Sequence, residues 1–320
     1  MNKYKLFKII SIISLLINNI GYNNYYLKNT NSNCGHLNEN LKNSSKFSKH
    51  NKKYNSKKDS YLKIFIMTHK DFKNYRFNPV YTIVADDISQ LKKNYSLNVI
   101  YAKEGKLFNM KRGYGEMSKL YYIYQLYKNG TFSSKYIGLN HYRRFFNFTD
   151  NIPDLDKIFE NYDVILNEPF IMKKGMKNQF CHEHICKNFD ELLDIIKDIK
   201  PDYYETAIET IKEKRVYVCN LFIMKTKDFL KYCNFIYDVL FEFDRRKNFT
   251  SDDDVLKYVK KYYKKRSLQL LQSRLQGFLA ERLNNIFFHK NFKSIKSFES
   301  GNYKKLNKNF KKSRRNKKKT

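Results

Sequence analysis

The residue types best suited to chemistry stand together in one short block, residues 140–144, with the sequence Asn-His-Tyr-Arg-Arg. The block follows an apolar segment at 135–140 that predicts a buried strand. Arg143 and Arg144 carry adjacent guanidinium groups that are always charged and planar, and such groups bind a diphosphate or a carboxylate through paired hydrogen bonds. A structural interpretation is also open, in which the arginines pair with acidic helix residues and His141 fills a core position.

Two other patterns contain the residue types that bind metal ions. Residues 181–186, Cys-His-Glu-His-Ile-Cys, carry zinc-type ligands, but no second ligand pair stands at a familiar spacing. The pair Asp154 and Asp156 and the run 252–254 offer carboxylates, which Mg²⁺ and Mn²⁺ prefer, yet neither follows an apolar strand. We therefore predict no protein metal ligand, and a divalent Mn or Mg ion stays an unassigned alternative.

The sequence lacks the short motifs of several common enzyme classes. It contains no Gly-rich phosphate loop, no Gly-x-Ser-x-Gly nucleophile elbow and no His-Glu-x-x-His zinc-protease motif. These absences disfavour the common hydrolases and nucleotide kinases.

The elements that must position the 140–144 block alternate between strands and helices. Apolar runs predict further strands at 62–67, 79–84, 97–102, 163–166 and 217–224. Helical periodicity marks 116–127, and further helices are predicted at 189–199, 203–214 and 228–244. The charged segment 245–266 predicts a loop or insertion, and a last regular element is predicted at about 268–288. The alternation predicts an α/β fold with a mainly parallel sheet and helices on both faces. Because ligands bind at the carboxyl ends of strands in open α/β sheets, Thr68, His69 and Lys70 after the first strand are also candidates.

Charge and hydropathy divide the chain into four parts. Residues 1–21 combine lysines with an apolar run, which predicts a signal peptide or a short signal anchor. Residues 22–60 form an Asn-, Lys- and Ser-rich linker that we expect to be disordered. The α/β domain occupies 61–295, and a basic tail at 296–320, also expected to be disordered, follows it.

The formal charge of +32 is concentrated at both ends of the chain. One interpretation is that the basic ends are solvated, disordered tails of a lysine-rich chain. The other is that they are attracted to phospholipid headgroups or nucleic acid. The N-terminal segment predicts entry into the secretory pathway, with membrane association through that segment as the alternative. Nucleic acid is disfavoured because a lumenal or secreted protein does not meet it. Five cysteines are too few for a disulfide framework, although one or two disulfides stay open.

Five blocks of the sequence together resemble a known family. They are residues 63–70, 116–121, 136–146, 220–225 and 277–283, and they occur in the family's order. In them the chain is similar to DUF4422, a family of glycosyltransferase-like proteins found mostly in bacterial capsule and lipopolysaccharide gene clusters. The resemblance implies a single GT-A-like domain, the fold of nucleotide-diphospho-sugar transferases. It also implies transfer of a sugar from a nucleotide-sugar donor to a glycan or glycolipid acceptor.

The resemblance further implies roles for individual residues. Arg143 and Arg144 neutralise the donor diphosphate, at the place where related transferases carry an Asp-x-Asp strand. Glu281 is the candidate base for the acceptor hydroxyl, and His141 is the second catalytic candidate. The candidates for substrate binding are Thr68, His69, Lys70, Glu116, Asn140, Arg143, Arg144, His184 and Asn220.

The sequence also departs from the family at 103–112 and at about 252–266. The first segment is basic where relatives carry an acidic, Asn-containing loop, and the second is an unusual insertion. A catalytically inactive sugar-binding module on the same fold therefore stays open. A basic nucleic-acid-binding protein is the third and weaker alternative.

Overall fold

A nine-stranded sheet forms the centre of the part of the chain that the structure, a computed structural model, describes. The described residues are 60–72, 80–87, 89, 91, 97–102, 107–146, 148 and 152–302, and all fall within the unit Lys57–Thr320. The predicted signal segment, the linker up to residue 59 and the tail beyond residue 302 lie outside them. Within the described residues, no helix combines the length and the apolar character needed to cross a membrane.

Six of the seven strands on the main path of the sheet run in one direction. The strands are β1 (Ser60–Met67), β2 (Tyr81–Ala85), β3 (Asn98–Tyr101), β4 (Ser134–His141), β5 (Arg144–Phe146), β6 (Val164–Asn167), β7 (Phe170–Ile171), β8 (Arg215–Val216), β9 (Phe222–Lys225), β10 (Ile295–Phe298) and β11 (Ser300–Asn302). The order along the main path is β10-β6-β9-β4-β1-β2-β3, and β9 alone is antiparallel to its neighbours on that path. Off the path, β5 pairs with β4 and β11, and β7 and β8 form a separate small sheet.

Helices cover both faces of the sheet, because its central strands are apolar on both sides. In β1, Phe65 and Met67 pack into one core cluster, and Ile64 and Ile66 pack into the other. The helices are α1 (Lys111–Tyr114), α2 (Glu116–Lys128), α3 (Leu155–Asn161), α4 (Met176–Glu183), α5 (Cys186–Ile199), α6 (Pro201–Thr210), α7 (Thr226–Lys247), α8 (Asp252–Lys260), α9 (Arg266–Gln272) and α10 (Leu275–Asn291). The predicted α/β class, a mainly parallel sheet flanked by helices, is confirmed.

The strand register brings three distant segments to one edge of the sheet. β1 and β4 are parallel with Met67 opposite His141, so their carboxyl ends meet. β9 is antiparallel to β4 with Leu139 opposite Phe222, so the amino end of β9 reaches the same edge. Asn220, two residues before Phe222, therefore arrives beside His141. We refer to this side of the sheet as the carboxyl edge.

The charged segment predicted as a loop is largely helical, so that prediction is wrong. Ser251 accepts a hydrogen bond from the Asp254 backbone N–H, and the Asp254 carboxylate accepts one from the Ser251 backbone N–H. This capping box begins α8, and acidic residues in the first turn suit the positive end of the helix dipole. Val255 and Val259 are buried and anchor the helix. The prediction relied on the charged composition of the segment, whereas the capping box and the buried valines of α8 specify a helix.

Two further differences concern the end of the domain. The sequence predicted one element at about 268–288, but the structure contains α9 and α10 with a break at Ser273 and Arg274. The sheet also continues past residue 295, because β10 pairs with β6 and β11 pairs with β5. The predicted start of the basic tail thus falls inside β10, a strand whose partners are distant in sequence.

Candidate functional site

The turn after β1 is held by its own threonine. Thr68 is buried, and its hydroxyl donates a 2.6 Å hydrogen bond to the Lys70 carbonyl oxygen. His69 and Lys70 are exposed, and the His69 ring lies edge-on to the Tyr142 ring with centroids 5.1 Å apart. Thr68 therefore shapes the turn, and His69 and Lys70 present their side chains at the carboxyl edge.

A cluster of polar side chains joins three of the predicted site residues. Glu116 begins α2, Asn220 precedes β9 and His141 ends β4. The Asn220 amide donates to Glu116 Oε1, and His141 Nε2 lies 3.9 Å from Glu116 Oε2. Asn220 has φ 47°, in the left-handed region that asparagine tolerates better than most residues. Elements far apart in sequence thus place a carboxylate, an amide and an imidazole side by side.

A second layer of hydrogen bonds fixes the orientation of Asn220. The Asn284 side-chain amide donates to Asn220 Oδ1. Asn284 Oδ1 in turn accepts a 2.7 Å hydrogen bond from the Tyr232 hydroxyl. Both partners are buried, so the Asn220 amide is held with its N–H groups toward Glu116. Asn284 and Tyr232 lie outside the sequence-predicted set and act through Asn220.

The Glu116 carboxyl titrates near neutral pH. Burial raises the pKa of Glu116 to about 7, and the negative charge of Glu281 contributes to this rise. The hydrogen bond from Asn220 and the positive charges of Arg274 and Lys119 act in the opposite direction. The side chain is 16% exposed. A carboxyl with this pKa can take up or release a proton at physiological pH, whereas an ordinary glutamate stays ionised.

His141 is held in its neutral form. Burial lowers its pKa to about 3, with Arg143 and His69 acting in the same direction. Its Nδ1 accepts a 3.1 Å hydrogen bond from the Arg143 backbone N–H. The proton of the neutral ring therefore sits on Nε2, the atom that faces Glu116. His141 is arranged as a hydrogen-bond donor toward the site rather than as a cation.

Three guanidinium groups surround this cluster. Arg143 is exposed, with its Cζ 5.3 Å from the centre of the Tyr142 ring, and Arg144 donates to Cys219 Sγ. Arg274, which sequence reasoning missed, precedes α10 and is exposed. Its charge lowers the pKa of Glu116 and also that of His141. The carboxyl edge is therefore rich in positive charge, as anion binding requires.

A buried ion pair at the neighbouring strand end was also missed. Lys119, on α2, donates to both carboxylate oxygens of Asp86 at 3.0 and 2.9 Å. Asp86 directly follows β2, so this pair lies at the same edge of the sheet. Burial lowers the pKa of His69, and the charge of Lys119 acts in the same direction; the same charge opposes the rise in the pKa of Glu116. Asp86 thus holds the Lys119 ammonium group beside the cluster.

The remaining predicted residues take different places. Glu281 Oε2 accepts a 2.9 Å hydrogen bond from Arg282, and its charge raises the pKa of Glu116, which places it by the cluster. Asn140 is buried within β4, and its Oδ1 accepts a 3.4 Å hydrogen bond from the Phe146 backbone N–H. His184 packs on the Phe278 ring with centroids 4.2 Å apart. Asn140 and His184 thus make contacts with the scaffold and none of the hydrogen bonds of the cluster.

The residues that resembled metal ligands have other partners. Asp154 accepts from the Lys157 backbone N–H as the cap of α3, and Asp156 forms an ion pair with Lys135 at 2.8 Å. Asp252 accepts from the backbone N–H groups of Arg112 and Gly113 at 2.9 and 2.8 Å. In the described part of the chain, no group of three or more His, Cys, Asp or Glu side chains could hold a metal ion. The described residues therefore do not fit a protein-held divalent ion.

The two cysteines of the 181–186 block form a disulfide, which joins the end of α4 to the start of α5. Their sulfurs are therefore not zinc ligands. Cys219 is a free thiol beside Arg144, and burial, followed by the charge of Glu281, raises its pKa to about 11. The thiol is protonated at neutral pH and is a neighbour of the cluster rather than a nucleophile.

The comparisons with known proteins concern the family and the fold of the chain. The model of the family described as Domain of unknown function (DUF4422) matches residues 63–292. The chain belongs to DUF4422. The matched range contains every predicted site residue, from Thr68 to Glu281, and the resemblance found in the sequence is confirmed. No curated protein matches the chain at a significant level.

A solved structure supports the same fold for this DUF4422 domain. It is the apo structure of WbbM, a bifunctional glycosyltransferase, with a TM-score of 0.57 and 16% sequence identity. The match covers 75% of this chain and 45% of the WbbM chain, so the chain spans less than half the length of that protein. At this identity the likeness concerns the fold alone.

Proposed function

We propose that the protein is a glycosyltransferase that moves a sugar from a nucleotide-sugar donor to a glycan or glycolipid acceptor. The observation that carries the proposal is the cluster of Glu116, His141 and Asn220 among arginines at the carboxyl edge of the sheet. Membership of DUF4422 and a fold shared with WbbM support it. Ligands of open α/β sheets bind at this edge.

The arginines account for the leaving group. As the bond from the sugar C1 to the donor diphosphate breaks, negative charge grows on the diphosphate oxygens. Arg143 and Arg274 are exposed and lie over the Tyr142 and Phe278 rings, and Arg144 is held by its hydrogen bond to Cys219 Sγ. Fixed cations at a developing charge lower the barrier because they need no reorganisation during the reaction. His69 and Lys70, on the adjacent turn, contact the donor in this arrangement.

The acceptor hydroxyl must lose its proton as its oxygen bonds to C1. Glu281 is the base that the family resemblance implies, and Glu116, with a pKa of about 7, is the second carboxylate in reach. A pH profile distinguishes them. If Glu116 is the base, kcat/KM rises through about pH 7. Glu116→Gln then removes that rise, whereas Glu281→Gln keeps it and moves it to lower pH, because the charge of Glu281 contributes to the raised pKa of Glu116.

The location of the protein and its wider partners are part of the proposal. The basic, apolar segment 1–21 is the reason to place the protein in the secretory pathway, and the basic ends are the reason to expect contact with an anionic membrane surface. A fusion of residues 1–60 to a reporter tests the first point. Retention of the reporter in the cytosol would contradict it.

Donor binding is the direct test of the proposed function. Calorimetric titration of the full chain with common nucleotide sugars, with and without Mn²⁺, should give saturable binding for at least one donor. The same donor should raise the melting temperature, because a ligand that binds only the folded state stabilises it. Failure of every donor under both conditions would remove the proposal.

A sugar-binding module without catalysis is the second candidate. It is favoured by the internal partners of the site residues, since Asn220 bonds Glu116 and Arg144 bonds Cys219. Binding of a donor with no turnover in the presence of any acceptor would support this candidate over a transferase.

A further inference from the structure

Helix α9 turns apolar side chains outward and polar side chains inward. Leu268, Leu270 and Leu271 are 39%, 39% and 47% exposed, whereas Gln272 is buried and Gln269 is half-buried. Single exposed leucines are common on protein surfaces, but three within four residues concentrate exposed apolar side chains on one short helix. A surface helix normally shows the opposite arrangement, with its apolar side against the core.

The glutamines hold the helix in this orientation. Gln269 Nε2 donates to the Tyr263 carbonyl oxygen at 2.8 Å. Gln272 Nε2 donates to the Glu183 carbonyl oxygen at 2.8 Å, and its Oε1 lies 2.9 Å from His184 Nδ1. These bonds satisfy the inward-facing amides, so rotation of the helix to bury its leucines would break them. The outward leucines are a stable feature of the fold.

Exposed cations and an aromatic ring border the same leucines. Tyr262 is 49% exposed in the connection between α8 and α9. The exposed cations are Lys260, Lys261, Lys264, Lys265 and Arg266. We refer to these five cations, Tyr262 and the three leucines as the α9 surface. It includes part of the insertion at about 252–266 by which the sequence departs from its family.

We propose that the α9 surface docks onto an anionic phospholipid bilayer. Leucine side chains of an interfacial helix enter the boundary between headgroups and acyl chains, and an adjacent tyrosine suits the headgroup level. Lysine and arginine side chains reach the phosphate groups at the same depth while their aliphatic parts stay in the apolar layer. A bilayer thus binds both the apolar side chains and the cations of the α9 surface.

Other partners match only one half. A second copy of the chain would cover the leucines but would bring the two sets of cations together, at a cost in repulsion. A nucleic acid would neutralise the cations and leave the leucines in water. The charge and the apolar area together favour the bilayer.

Docking would also place the candidate active site close to the membrane. Ser273 alone separates α9 from Arg274, whose charge acts on Glu116 and His141. Among the proposed acceptors, this position favours a glycolipid over a soluble glycan. That last step rests on the proposed transfer function, whereas docking itself needs no donor and no turnover.

Vesicle sedimentation of the full chain tests the docking. Wild type should bind vesicles containing phosphatidylglycerol much more tightly than vesicles of phosphatidylcholine alone, and added salt should weaken the binding. The triple variant Leu268→Gln, Leu270→Gln and Leu271→Gln should lose affinity at least about tenfold. The matched control is Phe170→Gln with Ile171→Gln, which changes exposed apolar residues of β7 and should keep wild-type affinity.

A charge variant gives a second readout that leaves the leucines intact. Lys264→Gln, Lys265→Gln and Arg266→Gln should weaken binding to phosphatidylglycerol vesicles about a hundredfold, since each cation near an anionic surface contributes about fivefold. The basic residues 1–58 and 303–320 stay in every variant, so their contribution cancels. A circular-dichroism melt confirms that each variant is folded, and if the leucine variant is not, the charge variant decides alone.

Three outcomes would overturn the docking proposal. The first is that both α9 variants bind anionic vesicles with wild-type affinity. The second is that the β7 control loses as much vesicle affinity as the α9 variants. The third is a leucine variant that converts a dimer to a monomer by light scattering while vesicle affinity is unchanged, which would assign the α9 surface to a second copy. None of these results bears on nucleotide-sugar binding, so docking and transfer fail independently.

Discussion

Replacing Glu116 by glutamine should stabilise the protein at alkaline pH and not at acidic pH. Burial raises the pKa of Glu116 from 4.5 to about 7. Between these values the folded state holds a proton that the unfolded state releases, so wild-type stability falls as pH rises through this window. Above pH 7 the buried carboxylate is charged, and the stability has been lost. Glutamine is neutral at every pH and keeps the oxygen that accepts from Asn220.

The size of the effect follows from the same pKa. At about 1.4 kcal/mol per pH unit, the rise to about 7 corresponds to about 3 kcal/mol. The free energy of unfolding of Glu116→Gln should therefore exceed that of wild type by up to about 3 kcal/mol at pH 8. The difference should shrink toward pH 5. Urea denaturation at pH 5, 6, 7 and 8 measures it, and a pH-independent m-value shows that the unfolded state is comparable throughout.

Glu242→Gln is the matched control, because the side chain is similarly exposed, at 17%, but the pKa is displaced the other way. Its hydrogen bond with Arg245 lowers the pKa of Glu242 to about 2, so its contribution is fully present above about pH 4.5. This variant should be less stable than wild type by a constant amount from pH 5 to 8. A Glu116→Gln curve that runs parallel to wild type over this range, or lies below it at pH 8, would refute the assignment of a buried, near-neutral carboxyl.

Three further variants separate binding from stability. Arg143→Lys should keep the melting temperature and weaken donor binding about ten- to hundredfold, because lysine loses the planar fork; unchanged affinity by calorimetry would remove Arg143 from the site. Ser251→Ala should lower stability by about 1 kcal/mol through loss of the α8 cap and leave donor affinity intact, and an unchanged melting temperature would contradict this. Cys181→Ser with Cys186→Ser should cost about 2 kcal/mol, as expected for a short closed loop, and added reductant should lower the melting temperature of wild type alone.

The sequence predicted the edge of the sheet at which the site residues gather. The strands at 62–67 and 135–140 are apolar on both faces, and polar residues follow each one, so parallel pairing had to bring those residues together. The contact of Asn220 with Glu116 could not be predicted in this way, because β9 is antiparallel to its neighbours. The composition of a strand does not indicate its direction in the sheet. The family resemblance supplied those two residues.

Arg274 and the pair of Lys119 and Asp86 escaped prediction for a physical reason. Arg274 lies in the break between α9 and α10, where the sequence predicted one regular element. Lys119 lies among apolar residues of α2, and its burial depends on the carboxylate of Asp86, which follows β2 and is 33 positions earlier in the sequence. Pairings of this kind depend on tertiary contacts, which local patterns do not carry.

Release of nucleoside diphosphate reports catalysis of sugar transfer by this protein. The full chain would be incubated with the nucleotide sugar that binds best and a range of glycan and glycolipid acceptors, and both products followed by mass spectrometry. We expect acceptor-dependent release of nucleoside diphosphate, matched one to one by a sugar added to the acceptor. Arg143→Lys should strongly reduce both products. Saturable donor binding with no release above the uncatalysed rate, for any acceptor and with or without Mn²⁺, would contradict it.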